Sequence, residues 1–335
     1  MAPPTIGECR IVSNVTLRTS DAQMATARQV IEEVYRLPLK DLTHLATHSN
    51  ALYKADLADG RRLVLRMGEP TANTRTNIDI EVAWLMDLAR DDQLNLAVPV
   101  PAADGRLVVD VVAPEASWVC VLFTWVPGEA LGEGAGTSGY RAMGRLSGRL
   151  HRHGDWRPPD PTLLRRWDQT FYYPEEFEQV VLADPGYDHL FHAVRSELNE
   201  AVAVTDHFLE HQWSQFTPMV VHGDLHEWNV HLNLGRAWGI DFEDVMLALP
   251  AQDVSVSLYR ARGRPDIERL ISAFRGGYEE ERRWPVGDRT ELDGYWAARQ
   301  VMLMNHAAQT LRREEALEYF ETVMPWLRSF LDRFG

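Results

Sequence analysis

Two short polar stretches constrain this chain more than anything else in it: His222-Gly223-Asp224-Leu225-His226-Glu227-Trp228-Asn229 and Ile240-Asp241-Phe242-Glu243-Asp244. Between them, Val230 to Leu234 and Ala237 to Phe242 read as extended runs joined by Gly235-Arg236. Such a hairpin returns the chain and sets the two polar stretches side by side. Phosphoryl transfer of the protein-kinase type needs an Asp to accept the proton of a hydroxyl, an Asn to hold one metal ion and a second Asp to bridge the metals. Its first part is written H-x-D, four residues, then Asn. Asp224 and Asn229 have that spacing, and the hairpin brings Asp241 back to face them.

The rest of the chain divides around residue 127 into a strand-rich part, 1–127, and a mostly helical part, 128–335. Ser20 with Gln23 three residues on is a capping-box pattern, and the helix it opens stops before Pro38. Ala51 to Leu57 and Arg61 to Met67 flank Ala58-Asp59-Gly60 and read as a hairpin. Alternation sets Leu63, Leu65 and Met67 on one face and Val64 and Arg66 on the other, so a covered Arg66 requires a charged partner. Glu81 to Ala89 is helical, with Val82, Leu85 and Leu88 as its stripe, and Arg106 to Val112 and Ser117 to Val126 are further strands. Beyond the glycine-rich stretch Gly128 to Gly139, helical periodicity covers Tyr140 to His153, His189 to Trp213 and three further segments running to Phe334.

Composition narrows the function classes. There are 335 residues with 34 Lys plus Arg against 49 Asp plus Glu, a net charge of −15. A nucleic-acid partner is not expected, because neutralising phosphates requires a basic surface. Cys9 and Cys120 form no disulfide framework. The first ten residues, with Pro3, Pro4 and Glu8, do not read as a signal peptide, and no apolar run reaches the ~18 residues of a membrane span. The expectation is a cytoplasmic protein without a membrane partner.

The pattern HGDLHxxN, the strand ending in IDFED and the later Asp253 resemble the aminoglycoside phosphotransferases and related small-molecule kinases, from about Thr47 to Tyr259. The resemblance implies an α+β, bilobal protein-kinase-like fold: an antiparallel-sheet small lobe, a helical large lobe and the site between them. It implies ATP and Mg2+ as cofactors, and a small-molecule hydroxyl as the phosphate acceptor. By position, Asp224 is similar to the family's catalytic base, Asn229 and Asp241 to its magnesium ligands, and Asp253 to the Asp that supports the catalytic loop. His222, His226 and Glu243 stand as supporting residues. Ser49-Asn50-Ala51 resembles the loop that covers the phosphates. Arg66 falls where kinases place a phosphate-pairing Lys, Glu81 falls at its helix partner, and Phe123 to Val126, with Trp125, resembles the hinge that meets adenine.

Three other readings compete. Stress-response protein Ser/Thr kinases carry a similar Pro and Gln ahead of an Asp, as in Pro250-Ala251-Gln252-Asp253. The exchange of Lys for Arg66 admits a nucleotide-binding regulator without catalysis. A zinc hydrolase fails, since His226 and His231 lie one residue too far apart for HExxH. Gly134 to Gly139 matches G-x-G-x-x-G in letters only: it does not directly follow its strand, and Glu133 would repel a phosphate, so it reads as a flexible interlobe connection. His151 and His153 read as a helix end.

Overall fold

A computed structural model describes residues 20–47, 50–69, 75–114, 116–172 and 188–334, without the side chains of 188–194. The expectations placed on Cys9 and Ser49 lie outside the described residues.

Alternating apolar residues build the small lobe. Strands β1 (Leu39–Thr47), β2 (Asn50–Leu57), β3 (Arg62–Gly68), β4 (Pro99–Val100), β5 (Val108–Val112) and β6 (Ser117–Thr124) form one sheet in the order β1-β2-β3-β6-β4, with β5 also on β6. All its pairings are antiparallel, so consecutive strands need only short turns. Leu63, Leu65 and Met67 on β3 join Tyr53, Ala55 and Leu122 under helix α1 (Asp21–Gln29), which continues as a π turn through Val30–Val34. Ser20 and Gln23 close the capping box of α1 with bonds of 3.0 and 3.1 Å. The opposite face of β3 carries Val64 and Arg66 toward a cavity. β1 was not expected: its polar residues, exposed at a sheet edge, blur the period-two signal. Helix α2 (Arg75–Leu88) begins six residues ahead of its expected start and buries Glu81.

The large lobe contains β7 (Glu129–Ala130), α3 (Thr137–Arg152), α4 (Asp188–Gln215), β8 (Met219–Val221), β9 (Val230–Asn233), β10 (Arg236–Gly239), β11 (Met246–Ala248), α5 (Pro250–Tyr259), α6 (Ile267–Tyr278), α7 (Arg289–Thr310) and α8 (Arg313–Phe334). Four helices, not three, follow the strands, because Pro250 starts the short α5 at a first-turn position that needs no N–H. The glycine-rich stretch carries regular structure at both of its ends. β7 pairs with β9, Gly128 lies so close to it that a Cβ would stand 2.2 Å from the Leu232 carbonyl, and Gly136 caps α3. The hairpin turn is Leu234-Gly235, one residue earlier than expected. Both have positive φ, 49° and 76°, as a two-residue hairpin turn of type I′ requires.

One apolar core crosses from the sheet into the helices, with the Trp84 ring 5.7 Å from Phe242 and 6.4 Å from Trp156. Helices α3 and α6 pack at glycines: a Cβ on Gly144 would stand 2.0 Å from the Phe274 carbonyl, and one on Gly277 1.9 Å from that of Arg141. That close approach brings the last turns of both helices together and places His151 against Tyr278. Among the described residues no helix is long and apolar enough to cross a membrane.

Candidate active site

Adjacent strands place the two polar stretches. β8 pairs antiparallel with β11, Val221 opposite Met246, so the loop leaving β8 (222–229) lies against the loop entering β11 (240–245). Gly223 makes this contact possible: its φ is +82°, and a Cβ there would meet the Asp244 carbonyl at 2.2 Å. His222 ties the loops together. Its Nδ1 accepts from the Asp224 N–H (3.2 Å), which leaves Nε2 to donate to the Ile240 carbonyl (3.0 Å). Burial lowers the pKa of this imidazole despite the nearby Asp253, in keeping with a neutral ring. The Ile240 N–H donates to the Asn229 carbonyl (3.0 Å), so Asp241 enters the site directly beside Asn229. Asp241 itself has φ +62°, a left-handed backbone that a non-glycine residue adopts at a cost.

Three donors surround the Asp224 carboxylate. Arg299 Nη2 donates to Oδ1 at 2.6 Å, Asn229 Nδ2 lies 3.4 Å from Oδ2, and His226 Nε2 lies 3.3 Å from Oδ2. His226 Nδ1 accepts from the Trp228 N–H (3.1 Å), which directs its other nitrogen to Asp224. Burial alone would raise the Asp224 pKa, but His226 and Arg299 outweigh it and hold the carboxyl well below the usual range. Asn229 Nδ2 also donates to the Asp224 carbonyl at 2.9 Å.

Asp253, at the start of α5, underpins the loop. Its Oδ1 accepts from the Gly223 N–H (2.8 Å) and its Oδ2 faces His151 Nε2 (2.9 Å), while His151 Nδ1 meets the Tyr278 hydroxyl (2.8 Å). Asp253, His151 and Tyr278 are all fully buried. His151 thus has a polar task that helical periodicity left unread. A histidine on an apolar helix face was the available signal.

On the sheet side, Arg66 and Glu81 form a forked ion pair of 2.9 and 2.5 Å, with Arg66 only 7% and Glu81 1% exposed. Burial works against the Arg66 charge, but Glu81 and then Glu243 raise its pKa. Its guanidinium lies 4.0 Å from Glu243, whose carboxylate accepts from Asn50 Nδ2 at 2.7 Å, and 5.1 Å from the Phe123 ring. Asn50 therefore spans from the sheet to the acidic loop. Arg66, Glu81, Asn50, Phe123, Trp125, Asp241 and Glu243 line one cavity of about 300 Å3 between the two halves, together with His231, which sequence reasoning did not assign there.

The acidic loop is short of positive charge. Burial, and after it Glu243, pushes the Asp241 carboxyl well above the carboxylate range, and burial raises Glu243 and Asp244 as well. Arg165 partly offsets Asp244 at 3.0 Å. Such a cluster suits a divalent cation. Among the described residues no three His, Cys, Asp or Glu side chains form a metal cage. The oxygen donors of Asn229 and Asp241 are of the kind a hard divalent ion takes alongside phosphate and water.

The APH family, described as phosphotransferase enzyme family, matches residues 42–295. Stress response kinase A of Escherichia coli (strain K12) is 27% identical over 291 residues, covering 85% of this chain and 81% of that relative. Serine/threonine protein kinase RdoA of Salmonella typhimurium is 26% identical over 294 residues, with the same coverage of 85% and 81%. Among solved structures, the microcompartment-associated aminopropanol kinase superposes with a TM-score of 0.73 at 20% identity, over 93% of this chain and 98% of that one. Amicoumacin kinase hAmiN, in complex with AMP-PNP, Ca2+ and Ami, gives 0.72 at 20% identity over 94% of both chains. These two likenesses show a kinase-like fold, with the antiparallel sheet in one half and the helices in the other.

Proposed function

We propose that this chain, which belongs to the phosphotransferase enzyme family, is an ATP-dependent kinase, that its acceptor is the hydroxyl of a small molecule and that Asp224 is the base. The observation that supports the assignment is that Asn229 bonds Asp224 and, through its carbonyl, the Ile240 N–H, while the next residue, Asp241, lines the cavity that holds the Arg66–Glu81 pair.

The depressed pKa of Asp224 keeps its carboxylate ionised at neutral pH, ready to accept a hydrogen bond from the acceptor hydroxyl. So weak a base does little before the new bond forms. In a loose phosphoryl-transfer transition state this suffices, since positioning and charge stabilisation supply most of the catalysis. The acceptor oxygen bonds to the γ-phosphorus as the bond to the bridging oxygen of ADP breaks, and the hydroxyl proton passes to Asp224. Arg66, steered by Glu81, would pair with the nucleotide phosphates, and the apolar wall of Leu52, Val64, Leu85 and Phe123 would take the adenine. Asn229 and Asp241 would hold Mg2+, which when bound offsets phosphate charge. Because the forked pair with Glu81 is kept, the exchange of Lys for Arg66 gives no support to a non-catalytic regulator.

Relatives named as stress response and serine/threonine protein kinases favour a second reading, a protein acceptor. Incubation with γ-labelled ATP and a panel of small alcohols, beside generic protein substrates, separates the two. Label in a small-molecule phosphate ester supports the first reading. Label only in protein Ser or Thr overturns it.

A further inference from the structure

The shortest bond to the Asp224 carboxylate comes from outside the motifs that identify the chain. Arg299 stands on α7, just beyond residue 295 where the family match ends, yet its Nη2 lies 2.6 Å from Asp224 Oδ1. The Arg299 side chain is 9% exposed, whereas that of Asp224 is 23% exposed. The cation is thus the more deeply covered partner, and the carboxylate is the more accessible one.

The register of Arg299 is set from three sides. Its guanidinium lies 5.7 Å from the ring of Tyr259 at the end of α5, and the Tyr259 hydroxyl donates to Gln300 Oε1 at 2.7 Å. Gln300 Nε2 reaches the Tyr319 hydroxyl of α8 at 2.8 Å, and Arg262 donates to the same Gln300 oxygen. One turn earlier, Trp296 Nε1 donates to the Ser255 carbonyl of α5 at 2.9 Å. A side chain held by that much packing is preorganised, and it acts on an oxygen whose direction decides where an acceptor hydroxyl can sit.

Resting on the kinase reading above, we propose that Arg299 is a positioning residue for phosphoryl transfer: it orients the Asp224 carboxylate toward the acceptor, which makes the α5–α7–α8 helix cluster part of the active site. Gln300 and Tyr319 serve the same end by tying α7 to α5 and α8. Asp224 is held from both sides, with Arg299 on Oδ1 and with Asn229 and His226 on Oδ2, and of these three only Arg299 lies beyond the matched residues.

A double-mutant cycle on the full chain tests this, with steady-state ATP turnover measured with water and with the best acceptor of the alcohol panel. Arg299→Gln should lower kcat by about 10²-fold, as a base misplaced by about 1 Å does, while the KM for ATP stays within about two-fold because the nucleotide cavity is untouched. Arg299→Lys, which keeps the charge, should recover about ten-fold or more of that loss. On an Asp224→Asn background, Arg299→Gln should add nothing, since it acts through that carboxylate. The inference is overturned if Arg299→Gln keeps wild-type kcat, if its loss is equally large on the Asp224→Asn background, or if the KM for ATP moves as much as kcat. A fully active Asp224→Asn variant would instead remove the base assignment, and with it the premise.

Discussion

Breaking the Arg66–Glu81 pair separates a structural ion pair from a functional one. In Glu81→Leu the Arg66 guanidinium stays buried with its nearest remaining counter-charge, Glu243, 4.0 Å away. Removing one member of a buried pair costs about 3–5 kcal/mol. The lower end, about 3 kcal/mol, applies here because Glu243 remains. The double variant Arg66→Met/Glu81→Leu removes both charges and fills the space with apolar atoms. Such replacements are often neutral or stabilising by ~1–4 kcal/mol. Urea denaturation followed by tryptophan fluorescence should therefore show the single variant clearly destabilised and the double variant within about 1 kcal/mol of the parent. ATP turnover should not follow that recovery: both variants should fall by at least about 10²-fold, the scale for losing one preorganised charge at a transferring group. A double variant that regains stability together with full turnover would show that Arg66 does not meet the nucleotide. One as unstable as Glu81→Leu would refute the buried-charge argument itself.

Gly223→Ala should cost about 1–2 kcal/mol from the left-handed backbone alone. The Asp244 carbonyl 2.2 Å from the new Cβ should raise that cost and suppress turnover, both seen by combining denaturation with kinetics. His151→Ala leaves the buried Asp253 Oδ2 without its partner, so a loss of about 1–3 kcal/mol is expected, with kcat falling more than the KM for ATP rises. Glu227 is 2% exposed, its Oε2 has no hydrogen-bond partner, and burial raises its pKa despite Arg260 and His226. A carboxyl raised in the fold penalises folding once pH exceeds its ordinary value of about 4.3. Glu227→Gln should therefore melt at a higher temperature than the parent at pH 7, and the gap should close as pH falls below about 4; an equal or lower melting temperature at pH 7 contradicts this.

What was legible in the sequence was local: the spacing from Asp224 to Asn229, the hairpin returning to Asp241, and alternation that turns Arg66 away from the α1 core. Near neighbours in sequence set these features, so few alternatives exist. Contributions from distant elements were hidden. His151 reaches Asp253 only because Gly144 and Gly277 let α3 and α6 approach. Arg299 reaches Asp224 because α7 packs on α5, and the sequence gives little trace of it: Arg299 and Gln300 are buried polar residues on a helix that also buries Asp293 and Asn305 among its apolar side chains. Edge strand β1 and the two-residue β7 were missed for another reason. Their residues carry mixed polarity, and pairing with β2 and β9 supplies the order that their own pattern lacks.

The central claim is that Asp224 serves as the base in transfer from ATP to a hydroxyl, and one measurement tests it most directly. γ-Labelled ATP is incubated with the best acceptor, and transfer by the parent is compared with transfer by Asp224→Asn at equal nucleotide saturation. A fall of about 10²–10⁴-fold in transfer, the usual worth of a positioned general base, with ATP affinity retained, is the predicted result. Undiminished transfer by Asp224→Asn would contradict it.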